Sequence, residues 1–412
     1  MMRNLPCTLY TGVAFDISSS PIIPHNPAHL PAIWCFCASP EYNEAVRRFD
    51  QSLKVTNATL VKVPFDLDHW TKVAQEKYPH GLPKPYSNDP TQWIFHGHPC
   101  GSVIWDEEKK WTAHGPLRAD ATVLQVAVAR LLGYRWPAEL DPEMELAEEQ
   151  RAWVERCHEL EEFADRDGIV SLPALRGEPA AADRLRRLLA AAYGSAWSAA
   201  KERELLAAAS GDANLADSLE VWLRDRFFEE HCKLFHHRPF VWHIWDGHRD
   251  GFHALVNYHR LVGPDGEGRR TLEALSYSYL GDWITRQKAA QREGVEGADA
   301  RLVAALDLQA QLEKILAGEP PCDLFVRWKP LSGQPIGWEP DINDGVRLNI
   351  RPFMSVELRQ GGRKGAGILR WKPNIKWKKD RGKEPQGLRP QDRFPWFWKD
   401  GELTGEHVND VH

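Results

Sequence analysis

The stretch Arg238–Arg260, RPFVWHIWDGHRDGFHALVNYHR, constrains the fold of this chain more than any other. It interleaves Phe240, Trp242, Trp245, Phe252 and Tyr258 with His243, His248, His253 and His259, and His231, His236 and His237 lie just before it. Asp246-Gly247 reads as a turn between two apolar runs. Val241–Trp245 is expected as one strand, with Phe252–Tyr258 as its partner. Both runs mix apolar and polar residues on both parities, so both are expected to be half-buried. The hairpin is the expected hub between a helical block before it and a basic, mixed block after it.

Around this hub the expectation is an α+β fold. It has a mostly helical central region, with small β-hairpin or sheet elements in the N-terminal, central and C-terminal parts. Four regions are expected: 1–70, 71–235, 236–320 and 321–412. Residues 1–30 have no clear period and read as part of a domain that begins elsewhere. After the apolar run Ala32–Ala38, Ser39 is placed to N-cap a helix with Pro40 at its first position. Thr59–Val63 reads as a strand, and Asp66 or Asp68 as the cap of a helix ending near Tyr78. Residues 79–119 are rich in proline and glycine, with short strand candidates at Trp93–Phe95 and Val103–Trp105. Ala121–Leu132 is expected as a helix stopped by Gly133. The acidic stretch 138–167 is expected to be helical with Trp153 and Leu160 inside. Pro179–Tyr193 and a long helix from Asp217 or Ser218 through Phe235 follow. Thr271–Gln291 and Ala298–Ala317 are expected to pair through apolar stripes. The first stripe is Leu272, Leu275, Tyr279 and Trp283; the second is Leu302, Leu306, Leu312 and Ile315. Asp323–Trp328 and Val346–Phe353 read as strands.

The 412 residues suffice for two or three cores, and a net charge of −6 means that any nucleic-acid role rests on local patches. Seven scattered cysteines without a CxxC point to a reduced, cytoplasmic protein. No apolar run approaches the ~20 residues that a membrane span requires. Eighteen tryptophans are enough to line large cores or a base-stacking surface.

The strongest chemical signal is Arg363–Lys383, RKGAGILRWKPNIKWKKDRGK. Nine Lys and Arg stand against the single acid Asp380, a local net charge of +8, with Trp371 and Trp377 interleaved. Such a segment neutralises phosphates and releases counterions, and its rings are able to stack on bases. The histidines do not read as a metal site. His236, His237, His243 and His248, with Cys232 nearby, lack the HxxxH or HExxH spacing that places two ligands on one helix face. Asp341 with Glu357 and Arg359 is the nearest approach to a nuclease pattern, with arginine where lysine is wanted.

With these residues laid out, the chain resembles the C-terminal region of large adenine-specific DNA methyltransferases of type IIG restriction–modification and BREX-like phage defence. Three places carry the likeness. Trp34–Trp70 resembles the end of a target recognition domain, through Ala38-Ser39-Pro40-Glu41, Lys54-Val55-Thr56-Asn57 and Val63-Pro64-Phe65-Asp66. The stretch Arg238–Arg260 resembles a hallmark of the C-terminal region. Asn343–Phe353 together with Asn374–Gly382 resembles the terminus. The chain departs from the family in lacking its S-adenosylmethionine turn and its Asn/Asp-Pro-Pro-aromatic loop, which holds the flipped adenine. Asn88-Asp89-Pro90-Thr91 has one proline and no aromatic.

The resemblance therefore implies a DNA-binding specificity and scaffold portion, a truncated gene or split subunit, without catalysis of its own. DNA and a separate methyltransferase subunit are the implied partners. No cofactor belongs to this chain, since S-adenosylmethionine would sit in the missing methyltransferase domain. No catalytic or metal residue is expected, and the expected DNA-binding residues are Lys54, Asn57, Lys372, Asn374, Lys376, Trp377, Lys378, Lys379, Arg381 and Lys383. The alternatives are a protein-interaction subunit of a defence operon and a metal-dependent nuclease or hydrolase.

Overall fold

The computed structural model describes residues 5–9, 20–52, 55–83, 95–211, 218–263, 266–318, 322, 346, 349–359, 361–375, 398–399 and 402–403. The fold is α+β and mostly helical, with small antiparallel sheets. Two compact units interleave along the chain. One comprises Met1–Arg118 with Trp136–His158, the other Ala119–Arg135 with Glu159–His412.

The first unit opens with α1 (Leu30–Cys37), α2 (Pro40–Phe49), α3 (Asn57–Leu60) and α4 (Leu67–Lys77). Ser39 and Asp66 cap α2 and α4 as expected, each accepting the backbone N–H three residues on. Phe36 packs its ring against Tyr42, Phe65 and Trp70, at 5.3–5.4 Å between centroids, and makes the centre of this core. The expected strand at Thr59–Val63 is instead the end of α3 and its turn. Its β-branched residues favour a strand, but Leu60 and Val63 pack on the α1, α2 and α4 core while Val61 points to solvent. A hairpin follows, β1 (Val103–Asp106) against β2 (Trp111–His114).

In the second unit α5 (Val123–Leu131) is buried along its whole length. The chain then returns to the first unit for α6 (Pro137–Leu140) and α7 (Glu148–Arg156). There Trp153 is buried, donates its indole N–H to the Ser102 carbonyl at 3.1 Å, and packs against His98, His114 and the Arg156 guanidinium. Leu160, in the second unit, is buried as expected.

The second unit continues through β3 (Ile169–Ser171), α8 (Ala181–Tyr193), α9 (Ala199–Ser210), α10 (Leu219–Asp225) and α11 (Phe227–Leu234). The single long helix expected from residue 217 or 218 through Phe235 is thus two. Ser218 caps the first, and the break falls at Arg226, whose φ of −123° leaves the helical range. The central hairpin is present, β4 (Val241–Trp245) against β5 (His253–Asn257), and β3 adds to the other side of β5. All ten residues of β4 and β5 are buried, where half-burial was expected. Helices cover both faces: Phe228 of α11 lies against His243, and Phe353 lies against Trp242 at 4.8 Å. A sheet covered on both faces has no solvent side on which to place polar residues.

Next come α12 (Tyr258–Leu261), α13 (Glu267–Glu273), a π-helical stretch at Ala274–Tyr279, α14 (Leu280–Arg292) and α15 (Ala298–Ala317). Packing of α14 on α15 realises the expected pair. Leu306, however, is 43% exposed, and Ala305 and Leu308 fill the seam beside Leu302, Leu312 and Ile315. Val346 and Asn349 are helical, and Arg351–Ser355 forms α16, where a strand was expected. Val346, Ile350 and Phe353, all buried, recur at spacings of four and three, which is a helical period. The expected strand Asp323–Trp328 lies outside the described residues. The last sheet pairs β6 (Trp398–Lys399) with β7 (Glu402–Leu403). Among the described residues no helix is long and apolar enough to cross a membrane.

Candidate nucleic-acid interface

The candidate site is built on the outer edge of β4. After α16 the chain turns through Gly361 and Gly367 and comes back alongside β4. Both glycines have positive φ, +74° and +62°. A Cβ at Gly361 would lie 2.2 Å from the Gly247 carbonyl oxygen, and one at Gly367 would lie 1.9 Å from that of Phe353. Only glycine fits such approaches. The segment then bonds to the strand. Trp245 N–H donates to the Ile368 carbonyl at 3.1 Å, and Arg370 N–H to the His243 carbonyl at 2.9 Å, an antiparallel bridge pairing Ile244 with Leu369. The Trp245 indole N–H adds a bond to the Leu369 carbonyl. The start of the basic segment is thus fastened to the hairpin.

From this anchor Arg363, Lys364, Lys372 and Asn374 face solvent. The Lys372 ammonium lies beside Gly365, where a Cβ would come within 2.9 Å of it. Trp371 stacks on His237, with centroids 5.8 Å apart and planes 12° from parallel. One face of this ring is therefore occupied by protein, although the sequence offered it for base stacking. His236 and His237 both hold positive φ, 50° and 63°, a rare backbone for residues with a side chain.

Beside the anchor, Asp225 at the end of α10 receives three guanidiniums. Arg224 and Arg249 each donate from Nη2 to Oδ2 at 2.9 Å, and Arg370 donates from Nη2 to Oδ1 at 2.9 Å. Arg370 also donates from Nε to the Arg224 carbonyl at 3.0 Å and lies over the Trp245 ring, 4.4 Å from its centroid. Burial works to raise the Asp225 carboxyl, but Arg224, Arg249 and Arg370 together outweigh it and hold it well below the usual carboxylate range. Burial, with help from Arg363 and Arg224, lowers Arg370, which Asp225 opposes.

Beneath the arginines the strands hold neutral histidines. His253 Nε2 donates to the His248 carbonyl at 2.9 Å, so Nδ1 of the neutral ring accepts from His243 Nε2, also at 2.9 Å. His243 Nδ1 is left without a hydrogen-bond partner among the described residues. A proton there would be a buried, unmatched charge. Burial above all, then His253 and Arg370, hold the His243 imidazole far below its ordinary range, and burial brings His253 down to about 4. His231 accepts the Val241 N–H at Nε2, shares a 3.0 Å bond with Gln125, and is lowered by burial to about 3. Asp246 ties the hairpin loop by accepting from His248 N–H and Phe252 N–H, and burial raises its carboxyl to about 6. Among the described residues no group of three or more His, Cys, Asp or Glu is arranged to hold a metal ion.

Of the expected DNA-binding residues, Lys372 and Asn374 lie exposed beside the anchor, and Asn57 is exposed at the start of α3 in the first unit. Lys54, Lys376, Trp377, Lys378, Lys379, Arg381 and Lys383 lie outside the described residues. Glu357 of the nuclease pattern is exposed, and its companion Asp341 is outside the described residues. The sequence reading missed the gathering of Arg224, Arg249 and Arg370. The one local signal was the Arg224-Asp225-Arg226 triplet, a lone acid flanked by bases.

No known family model matches the chain, and no curated protein matches it in sequence.

Proposed function

We propose that this chain is the DNA-recognition and scaffold portion of a site-specific adenine-N6 DNA methyltransferase system. In this reading it works in the cytoplasm, on duplex DNA, beside a separate methyltransferase subunit that supplies S-adenosylmethionine chemistry. The single observation that carries the reading is the basic segment Arg363–Lys383. Its first residues are pinned to β4, and Arg363, Lys364 and Lys372 have no ion-pair partner among the described residues. Cations held on a rigid edge neutralise phosphates with little ordering cost. The likeness of Trp34–Trp70, Arg238–Arg260 and the C-terminal stretches to methyltransferase C-terminal regions supplies the reaction class.

A gel-shift titration of the purified chain on duplex DNA tests the reading. Binding that weakens steeply with salt is expected, with no methyl transfer to the DNA when S-adenosylmethionine is added. Absence of binding even at low salt would remove the DNA role, and methyl transfer by the chain alone would remove its catalytic silence.

A further inference from the structure

The charge around Asp225 does not balance. Arg224, Arg249 and Arg370 share its carboxylate. Three guanidiniums against one carboxylate leave a net charge of +2. Among the described residues no second carboxylate pairs with any of the three. Each guanidinium offers five N–H donors, and here Arg249 uses one of its five while its side chain is 71% exposed. Arg224 and Arg370 keep their Nη1 groups uncommitted.

These donors are held in place. Arg370 is fixed by its backbone bond to β4, by the Arg224 carbonyl and by the Trp245 ring below it. Asp225 aligns all three guanidiniums through its two oxygens. A planar guanidinium fork matches the oxygens of a phosphate, and a second anion would relieve the repulsion within the cluster.

We infer that the arginine cluster at Asp225 is a preformed seat for one backbone phosphate of duplex DNA. Arg249 is its outer donor, and Arg224 and Arg370 are its floor. This inference rests on the DNA-binding reading above and adds a fixed point to it. The lysines further along the segment would supply diffuse attraction, while the seat sets where the duplex lies. It reads no base, because backbone phosphates carry no direct sequence information.

The test uses the full chain, a short labelled duplex and fluorescence anisotropy over a range of salt. Arg249→Gln is expected to weaken binding about tenfold at low salt, as for loss of one hydrogen bond to a charged group. It is also expected to flatten the salt slope by about 0.9. Arg269→Gln removes the same charge from an exposed arginine paired with Glu273 on its own helix, and is expected to change neither quantity. Thermal melts of the variants should match the parent, which separates lost binding from lost folding. If the parent binds and Arg249→Gln binds with the parent's affinity and slope, the seat is refuted while the DNA reading stands. If the parent binds no duplex, both fall. A melt raised by inorganic phosphate in the parent but not in Arg249→Gln, with duplex binding unchanged, would mark a small-anion site and overturn the inference.

Discussion

Two sets of cationic or potentially cationic side chains meet at β4, and they are handled in opposite ways. Beneath the surface His243 and His253 are buried, kept neutral by that burial and bonded to each other. Above them, Arg224, Arg249 and Arg370 stay charged and gather on Asp225 at the surface. The difference lies in what each group does when desolvated. Imidazole sheds its proton and remains as a hydrogen-bonding core residue, whereas guanidinium keeps its charge and needs a partner. Depth on this face therefore separates a region whose changes should register as stability from one whose changes should register as binding.

The separation is open to attack from the core outward. Trp242→Ala should do the most damage, about 3–5 kcal/mol of stability by denaturant titration, since the ring is fully buried between Tyr258 and Phe353. A much smaller loss would mean that this side of the sheet is not the core described above. Gly367→Ala should cost roughly 2–3 kcal/mol, because its backbone and the Phe353 carbonyl both exclude a side chain. Unlike Trp242→Ala, it should also weaken DNA binding under conditions where the protein remains folded. Loss of stability with binding intact would detach the anchor from the interface.

Acid should act on the core alone. His231, lowered to about 3, and His253, lowered to about 4, contribute stability that is complete above their ordinary value of 6.5. That stability drains as pH falls from there toward the folded values, because the unfolded chain takes up protons that the native one refuses. His243 acts in the same sense. Asp246, raised to about 6, opposes them, since its neutral form is the one that burial favours. His259, lowered by burial to about 4, adds to the histidines, and together these groups lose about 3 kcal/mol between pH 6.5 and 5.5. Chemical unfolding curves at the two values measure it, and flat stability across that interval would contradict the neutral-histidine core. Arg249→Gln is the smallest case for stability, within about 0.5 kcal/mol, because Asp225 keeps Arg224 and Arg370. Its effect should appear in binding, and a large loss of stability instead would make the cluster a structural staple.

The hairpin was legible from its paired apolar runs and turn, and the helix caps at Ser39, Asp66 and Ser218 from local hydrogen-bonding chemistry. What escaped was non-local. Nothing within Val241–Trp245 tells that Leu369 will bridge to Ile244, or that α11 and α16 cover opposite faces. Thr59–Val63 and Val346–Phe353 carry strand-forming residues, yet the first ends α3 and the described residues of the second are helical or turn, which lets their apolar members reach a core. Of the candidate site, the basic segment was plain from charge alone. The arginine cluster was not, because Arg224, Arg249 and Arg370 come from three distant stretches joined only by the fold.

The central claim is that the basic segment holds DNA by its phosphates and reads no bases. Lysine is a point charge without arginine's bidentate fork for guanine, and Lys372, Lys376, Lys378, Lys379 and Lys383 dominate the run. The most direct measurement is the salt dependence of binding to two duplexes of unrelated sequence, for the parent and for Lys378→Glu/Lys379→Glu. Affinity should fall equally on both duplexes, and the slope should flatten by about two, at roughly 0.9 per lost phosphate contact. A loss confined to one duplex, with the other bound as by the parent, would contradict it.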